Sequence, residues 1–225
     1  MLYAPIGKTL NTFRFTWSAA VFANILAFVV SGCGSTIHRP DIGFDRPAVT
    51  ATETIPYDVG IVYTDEFRSY QHTYHIGFDD HIFEVGTASV SMFNAVTRAL
   101  FRSVKQLDSL PPVPSGYEEL DFVIRFDKAD FWFMFGSSNV FQPRPDVASV
   151  HYTVNLFTTS GELATTLHVT GHASKVPQGG TIFTIAADYG PTRARSSMES
   201  SLIDARDKFA EQLRISRTTL PKLMP

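Results

Sequence analysis

The chain has 225 residues, 44% of them hydrophobic and 18% charged, with a formal net charge of −3 and a single cysteine. That is enough apolar material for one domain with a real core. The mildly acidic balance argues against nucleic acid and against a polybasic membrane-binding face, both of which reward basic surfaces.

Residues 1–32 read as a signal peptide. Lys8 and Arg14 give the start a positive charge with no acid. An apolar stretch of 14 residues follows from Trp17 to Val30, broken only by Ser18 and Asn24. It suits a signal-peptide core and is short of the ~20 residues that span a bilayer. The bland alternative is an uncleaved signal anchor, with Cys33 an ordinary buried thiol. Cys33 ends the string Val30-Ser31-Gly32-Cys33, an aliphatic residue and two small ones before the chain's one cysteine.

This string resembles the lipobox of bacterial lipoproteins. The resemblance implies cleavage before Cys33, a diacylglyceryl thioether on its sulfur and acylation (palmitate or similar) of its new amino group. Several acyl chains hold firmly where a single one binds reversibly. In enteric bacteria an aspartate after the cysteine favours inner-membrane retention. Gly34 stands there instead, which points to the outer membrane with the body facing the periplasm. With Cys33 acylated no thiol remains for a disulfide or thiolate chemistry. Removing Lys8 and Arg14 leaves 17 basic residues against 22 acidic ones, a net charge of −5.

Residues 33–54 form the lipidated N-terminus and a flexible tether, with Pro40 and Pro47 among polar residues and no apolar period. Extended, such a stretch spans several tens of ångströms. A single domain is expected over 55–216. Asp58 to Tyr63 reads as a strand, and residues 64–86 as a long loop or irregular hairpin. Met92, Val96, Leu100, Val104 and Leu107 make one stripe, predicting a helix over Ser89–Leu107, capped by Ser89 or Ser91 and stopped by Leu110-Pro111-Pro112.

Leu120, Phe122, Ile124 and Phe126 alternate with Asp121, Val123, Arg125 and Asp127 as a half-buried strand. Its apolar parity shifts across Lys128 to Asp130, which predicts a bulge or break. The continuation Phe131-Trp132-Phe133-Met134-Phe135 is apolar on both faces. Val150–Leu156 and Leu163–Thr170 predict a hairpin turning at Ser160-Gly161. Its register pairs Val154 with Leu167, Tyr152 with Val169 and, on the wet face, Thr153 with His168. Residues 176–195 read as a loop with a short strand over Ile182–Ala187. Leu202, Ala205, Phe209 and Leu213 stripe a second helix over Ser197–Arg214, and residues 217–225 are a tail.

The expected fold class is α+β: a two-layer sandwich of a mainly antiparallel sheet of four to five strands with two amphipathic helices. In element order this is similar to periplasmic lipoprotein domains of export and assembly systems, such as the curli-secretion lipoprotein and the amino-terminal domain of the Tol-system propeller protein. No functional residue is carried over from them.

Three sets of side chains are candidates for chemistry or contact. His72, His75 and His81, beside Asp79 and Asp80, are metal-ligand types at short spacing, although His72 and His75 share a face only on a helix. His151, His168 and His172 would line one wet sheet face, as ligands or simply as solvated neighbours of threonines. Phe131, Trp132, Phe133, Met134 and Phe135 are the candidate partner or ligand contact, with Trp132 and Met134 left exposed if the strand is uncovered on one side. No Gly-x-Ser-x-Gly elbow and no phosphate-cradling glycine loop occurs.

The expectation is therefore a non-enzymatic lipoprotein without a cofactor, an accessory or structural component of an envelope assembly or export complex. Its partners are the membrane, an envelope protein and a second copy of itself. The alternatives are a lipoprotein that holds a lipid or small apolar ligand, since the chain has 19 phenylalanines, and a metal-dependent hydrolase using the histidines at 72–81.

Overall fold

Alternation of apolar and polar residues after position 120 builds the framework. The computed structural model describes residues 37–39, 42, 54–76, 79–109, 118–136, 144–176 and 189–216. The leader, Cys33, Ile182–Ala187 and the tail fall outside them. In chain order the elements are β1 (Ile37–His38), β2 (Ile55–Tyr63), α1 (Asp65–Arg68), β3 (His72–Ile76), β4 (Asp79–Phe83), α2 (Val85–Leu100), β5 (Phe101–Gln106), β6 (Phe122–Met134), β7 (Asp146–Phe157), β8 (Leu163–Lys175) and α3 (Tyr189–Ser216). They form a five-stranded sheet in the order β5-β2-β6-β7-β8 and a three-stranded sheet in the order β1-β4-β3.

This is an α+β sandwich. The large sheet is mixed: β2 runs parallel to both β5 and β6, while β6-β7 and β7-β8 are antiparallel. The expected register of the β7-β8 hairpin holds at Val154↔Leu167, Tyr152↔Val169 and Thr153↔His168. Its turn is longer than the two residues expected. Thr158 and Glu162 close a five-residue loop, with the Thr158 N–H donating to the Glu162 carbonyl at 2.9 Å and Gly161 at φ 98°, a backbone region that glycine enters freely. A register shift beside Phe157 then turns Leu163 out to solvent.

The parity change in β6 is a bulge. Phe126 pairs with Val154 and Lys128 with Thr153, leaving Asp127 as the extra residue. Before it Phe122, Ile124 and Phe126 face the core; after it Ala129, Phe131 and Phe133 do. Thr64, just past β2, holds the bulge from inside: its hydroxyl donates to the Asp127 carbonyl at 2.8 Å and its N–H to the Phe126 carbonyl at 3.1 Å.

Several boundaries differ from the sequence reading. The helix expected over Ser89–Leu107 starts at Val85 and ends at Leu100, and residues 101–106 are strand β5. Val104 and Leu107 satisfy either period; what decides is the open edge of β2, where Val59 pairs with Val104 and the Leu107 N–H reaches the Ile61 carbonyl at 2.8 Å. A helix would leave those β2 groups unpaired. Ser89 is accordingly no cap. It lies inside α2, its hydroxyl donating to the Val85 carbonyl at 2.6 Å. Residues 64–86 contain α1 and the β3-β4 hairpin. α3 begins eight residues earlier than expected, with Pro191 in its first turn, where no intrahelical N–H is required. Within the stretch read as tether, Ile37–His38 is a short strand parallel to β4.

The core lies on one face of the large sheet, covered by α2, α3 and the small sheet. Phe67, Phe93, Phe126 and Phe209 pack ring to ring with centroids 4.5–6.3 Å apart. A smaller cluster of Val62, Leu107, Leu120 and Val123 covers the β2 end of the other face.

Candidate interaction surface

The strand period and the Asp127 bulge decide which of residues 131–135 can be touched. Phe131 and Phe133 are 3% and 4% exposed and face the small sheet, against His72 and Phe83 for the first and Tyr74 for the second. Phe135 is partly buried between Tyr74, Phe133 and the guanidinium of Arg193. Trp132 and Met134 point the other way and are 49% and 45% exposed. Of the five, then, two stand on the open face of the large sheet and two belong to the core.

Around them the cross-strand rows supply polar groups. Trp132 pairs with Ser149 and Ser149 with His172; Asp130 pairs with His151 and His151 with Thr170; Met134 pairs with Val147. Ser149 is buried, its hydroxyl 3.0 Å from His151 Nε2. The other ring nitrogen, Nδ1, lies 2.9 Å from the Thr170 hydroxyl. His172 crosses His151 edge-on with centroids 6.3 Å apart. The expected histidine row therefore exists, embedded in hydroxyls. Toward the β2 end a network follows, in which Asp127 accepts from Arg125 Nη2 at 2.9 Å and from Asn155. The surface is a paired-strand platform with two apolar side chains and a hydrogen-bonding surround.

The ends of this platform are fixed by buried chemistry. Asp146, at the start of β7, is buried. Its carboxylate accepts the Gly136 N–H at 2.7 Å and a bidentate pair from Arg193 of α3, the Nε bond being 2.7 Å. A buried pair of this kind costs much to break from one side. At the opposite edge, α3 lays Asp204, Lys208 and Gln212 along β8. Asp204 accepts the His172 N–H at 2.7 Å, Lys208 donates to the Thr170 carbonyl at 3.0 Å and Gln212 to the His168 carbonyl at 3.2 Å. Burial pushes the Asp204 carboxyl up, but Lys208 and the His172 N–H together hold it below the ordinary carboxylate range.

The histidines at 72–81 do not converge. On strand β3 a spacing of three sends His72 and His75 to opposite faces. His75 pairs with Asp80 at 2.5 Å on the outer side. His72 faces Phe131, and burial lowers its pKa against the pull of Asp130. His81 is buried and stacked on His38, centroids 4.9 Å apart. Among the described residues no group of three or more His, Cys, Asp or Glu is placed to hold a metal ion. No helix among them is long and apolar enough to cross a membrane.

Comparison with known proteins finds no matching family and no matching curated sequence. Among solved structures the chain is similar to a minor lipoprotein from Acinetobacter baumannii (9% identity, 73% of this chain and 96% of that one, TM-score 0.40). It is also similar to uncharacterized lipoprotein B from Nitrosomonas europaea (13% identity, 76% and 90%, TM-score 0.41). A third is a candidate neuraminyllactose-binding hemagglutinin homolog from Helicobacter pylori (14% identity, 77% and 92%, TM-score 0.42). At these scores the likeness is too loose to carry an argument for this chain.

Proposed function

We propose that the chain is a bacterial lipoprotein, anchored through Cys33 in the outer membrane and facing the periplasm, that works without catalysis as an accessory component of an envelope assembly. The anchor reading rests on Val30-Ser31-Gly32-Cys33. The docking reading rests on Trp132 and Met134, half exposed on a strand whose other face is locked into the core. Large apolar side chains presented on a paired strand amid hydrogen-bonding groups are what partner surfaces use as anchors. The phenylalanines suggest a ligand pocket by their number, but those among the described residues pack largely against one another.

Crosslinking in intact cells tests this, with a photoreactive residue replacing Met134 and mass spectrometry on the products. A defined envelope protein should be captured, and Cys33→Ala should abolish its capture. A lone monomer with no adduct, or a co-purified lipid in native mass spectra, sinks the docking reading and favours the ligand-binding one.

A further inference from the structure

β1 changes where the body sits. Lipidation at Cys33 alone would leave a long leash to the domain, which begins near residue 55. Yet Ile37 pairs with Asp80 and His38 with His81 in parallel register. The His38 and His81 rings stack, Arg39 Nη1 donates to Glu84 Oε1 at 3.1 Å, and Ile42 packs on the core. The chain is therefore fastened to the body only four residues after Cys33, a stretch that extends at most ~14 Å.

We infer that the outer side of the three-stranded sheet lies directly against the lipid surface, with no spacer between body and bilayer. This rests on the lipoprotein reading and gives it an orientation. Ile37 shares the outer face of the small sheet with its partner Asp80 and is 60% exposed, an apolar side chain at the point nearest the anchor. The inner face of that sheet, through His72, Tyr74 and Phe83, packs on Phe131 and Phe133. Trp132 and Met134 are on the far face of the large sheet. The same strand that presses its phenylalanines toward the membrane side thus presents its tryptophan away from it.

The test uses full-length acylated protein in vesicles of phosphatidylethanolamine and phosphatidylglycerol. Cys33 is blocked by its lipid, so an added cysteine is the one free thiol. Thr73→Cys places it on the exposed outer side of the small sheet and Lys128→Cys on the open face of the large one. A bulky polyethylene-glycol maleimide should modify the first about tenfold more slowly in vesicles than in detergent, because ~14 Å of chain leaves the polymer no room. The second should react equally fast in both. Inserting ten Gly/Ser residues between Cys33 and Ile37 should remove the protection of Thr73→Cys. Equal rates at both positions, with acylation of Cys33 verified by mass, overturn the orientation and leave the lipoprotein reading standing. Protection that survives the insertion also overturns it. An unacylated Cys33 overturns both.

Discussion

Tyr152 sits in the middle of the core with one polar atom to satisfy. Ser89 spends its proton on the Val85 carbonyl, so the 2.6 Å contact between the hydroxyls is donated by Tyr152. Burial pushes the Tyr152 phenol far above its ordinary range, keeping it a donor at any physiological pH. Tyr152→Phe should therefore cost about 1 kcal/mol, since Ser89 keeps its own acceptor. Tyr152→Ala should cost about 3–5 kcal/mol through the cavity it leaves. Urea denaturation separates the two. His72 gives a pH signature. Its folded pKa is lowered from 6.5, so its contribution is intact above that value and is lost as pH falls through the folded pKa. Stability should decline on acidification from neutrality, and His72→Gln should flatten that decline in chemical melts at pH 7 and pH 5. At the surface, Trp132→Ala should change stability by no more than about 0.5 kcal/mol while abolishing partner capture. Loss of folding instead would make Trp132 a core residue.

At the scale of elements, α3 does two jobs. Its Leu202, Ala205, Phe209 and Leu213 stripe fills the core, and its Asp204, Lys208 and Gln212 stripe closes the free edge of β8. Open edges pair with other sheets, and a helix laid along one prevents it. Replacing Lys208 and Gln212 together by Leu should expose two carbonyls and produce concentration-dependent association, read by light scattering on a sizing column. A monodisperse monomer would show that packing alone protects the edge. The backbone contact here is close: a Cβ on Gly171 would come 2.0 Å from the Ser201 carbonyl. Gly171→Ala should therefore push helix and sheet apart, costing several times the ~1 kcal/mol of an ordinary substitution. The apolar stripe of α3 was legible in the sequence because it is a local pattern. So were the β7-β8 register and the parity shift in β6. β5 was not, because Leu100, Val104 and Leu107 fit a helix as well as a strand, and the parallel partner that decides lies some forty residues away in β2. Likewise nothing local marked Ile37–His38 as a strand.

For the whole molecule, the sequence disclosed an α+β sandwich and the residues of the open face, but neither the mixed strand directions nor the second sheet. The exposed pair Trp132 and Met134 followed from alternation alone. The separation of the histidines at 72–81 needed the hairpin, which places His75 outside and His81 inside. One buried pair joins the ends of β6, β7 and α3. Asp146→Ala would strand Arg193 without its carboxylate, and a loss of about 3–5 kcal/mol is expected in thermal or chemical melts. The Asp127 bulge has a consequence for the molecule's tolerance of change. Thr64 grips it from within, and Arg125 and Asn155 from without. Because Asp127 is the extra residue, deleting it would let Phe126, Lys128 and Ala129 alternate without interruption and keep everything beyond on its present side. Trp132 and Met134 would stay on the open face and Phe131 and Phe133 in the core. A substitution at position 127 alters a polar network; a single-codon deletion there removes that network and straightens the strand, yet leaves both of its faces as they are.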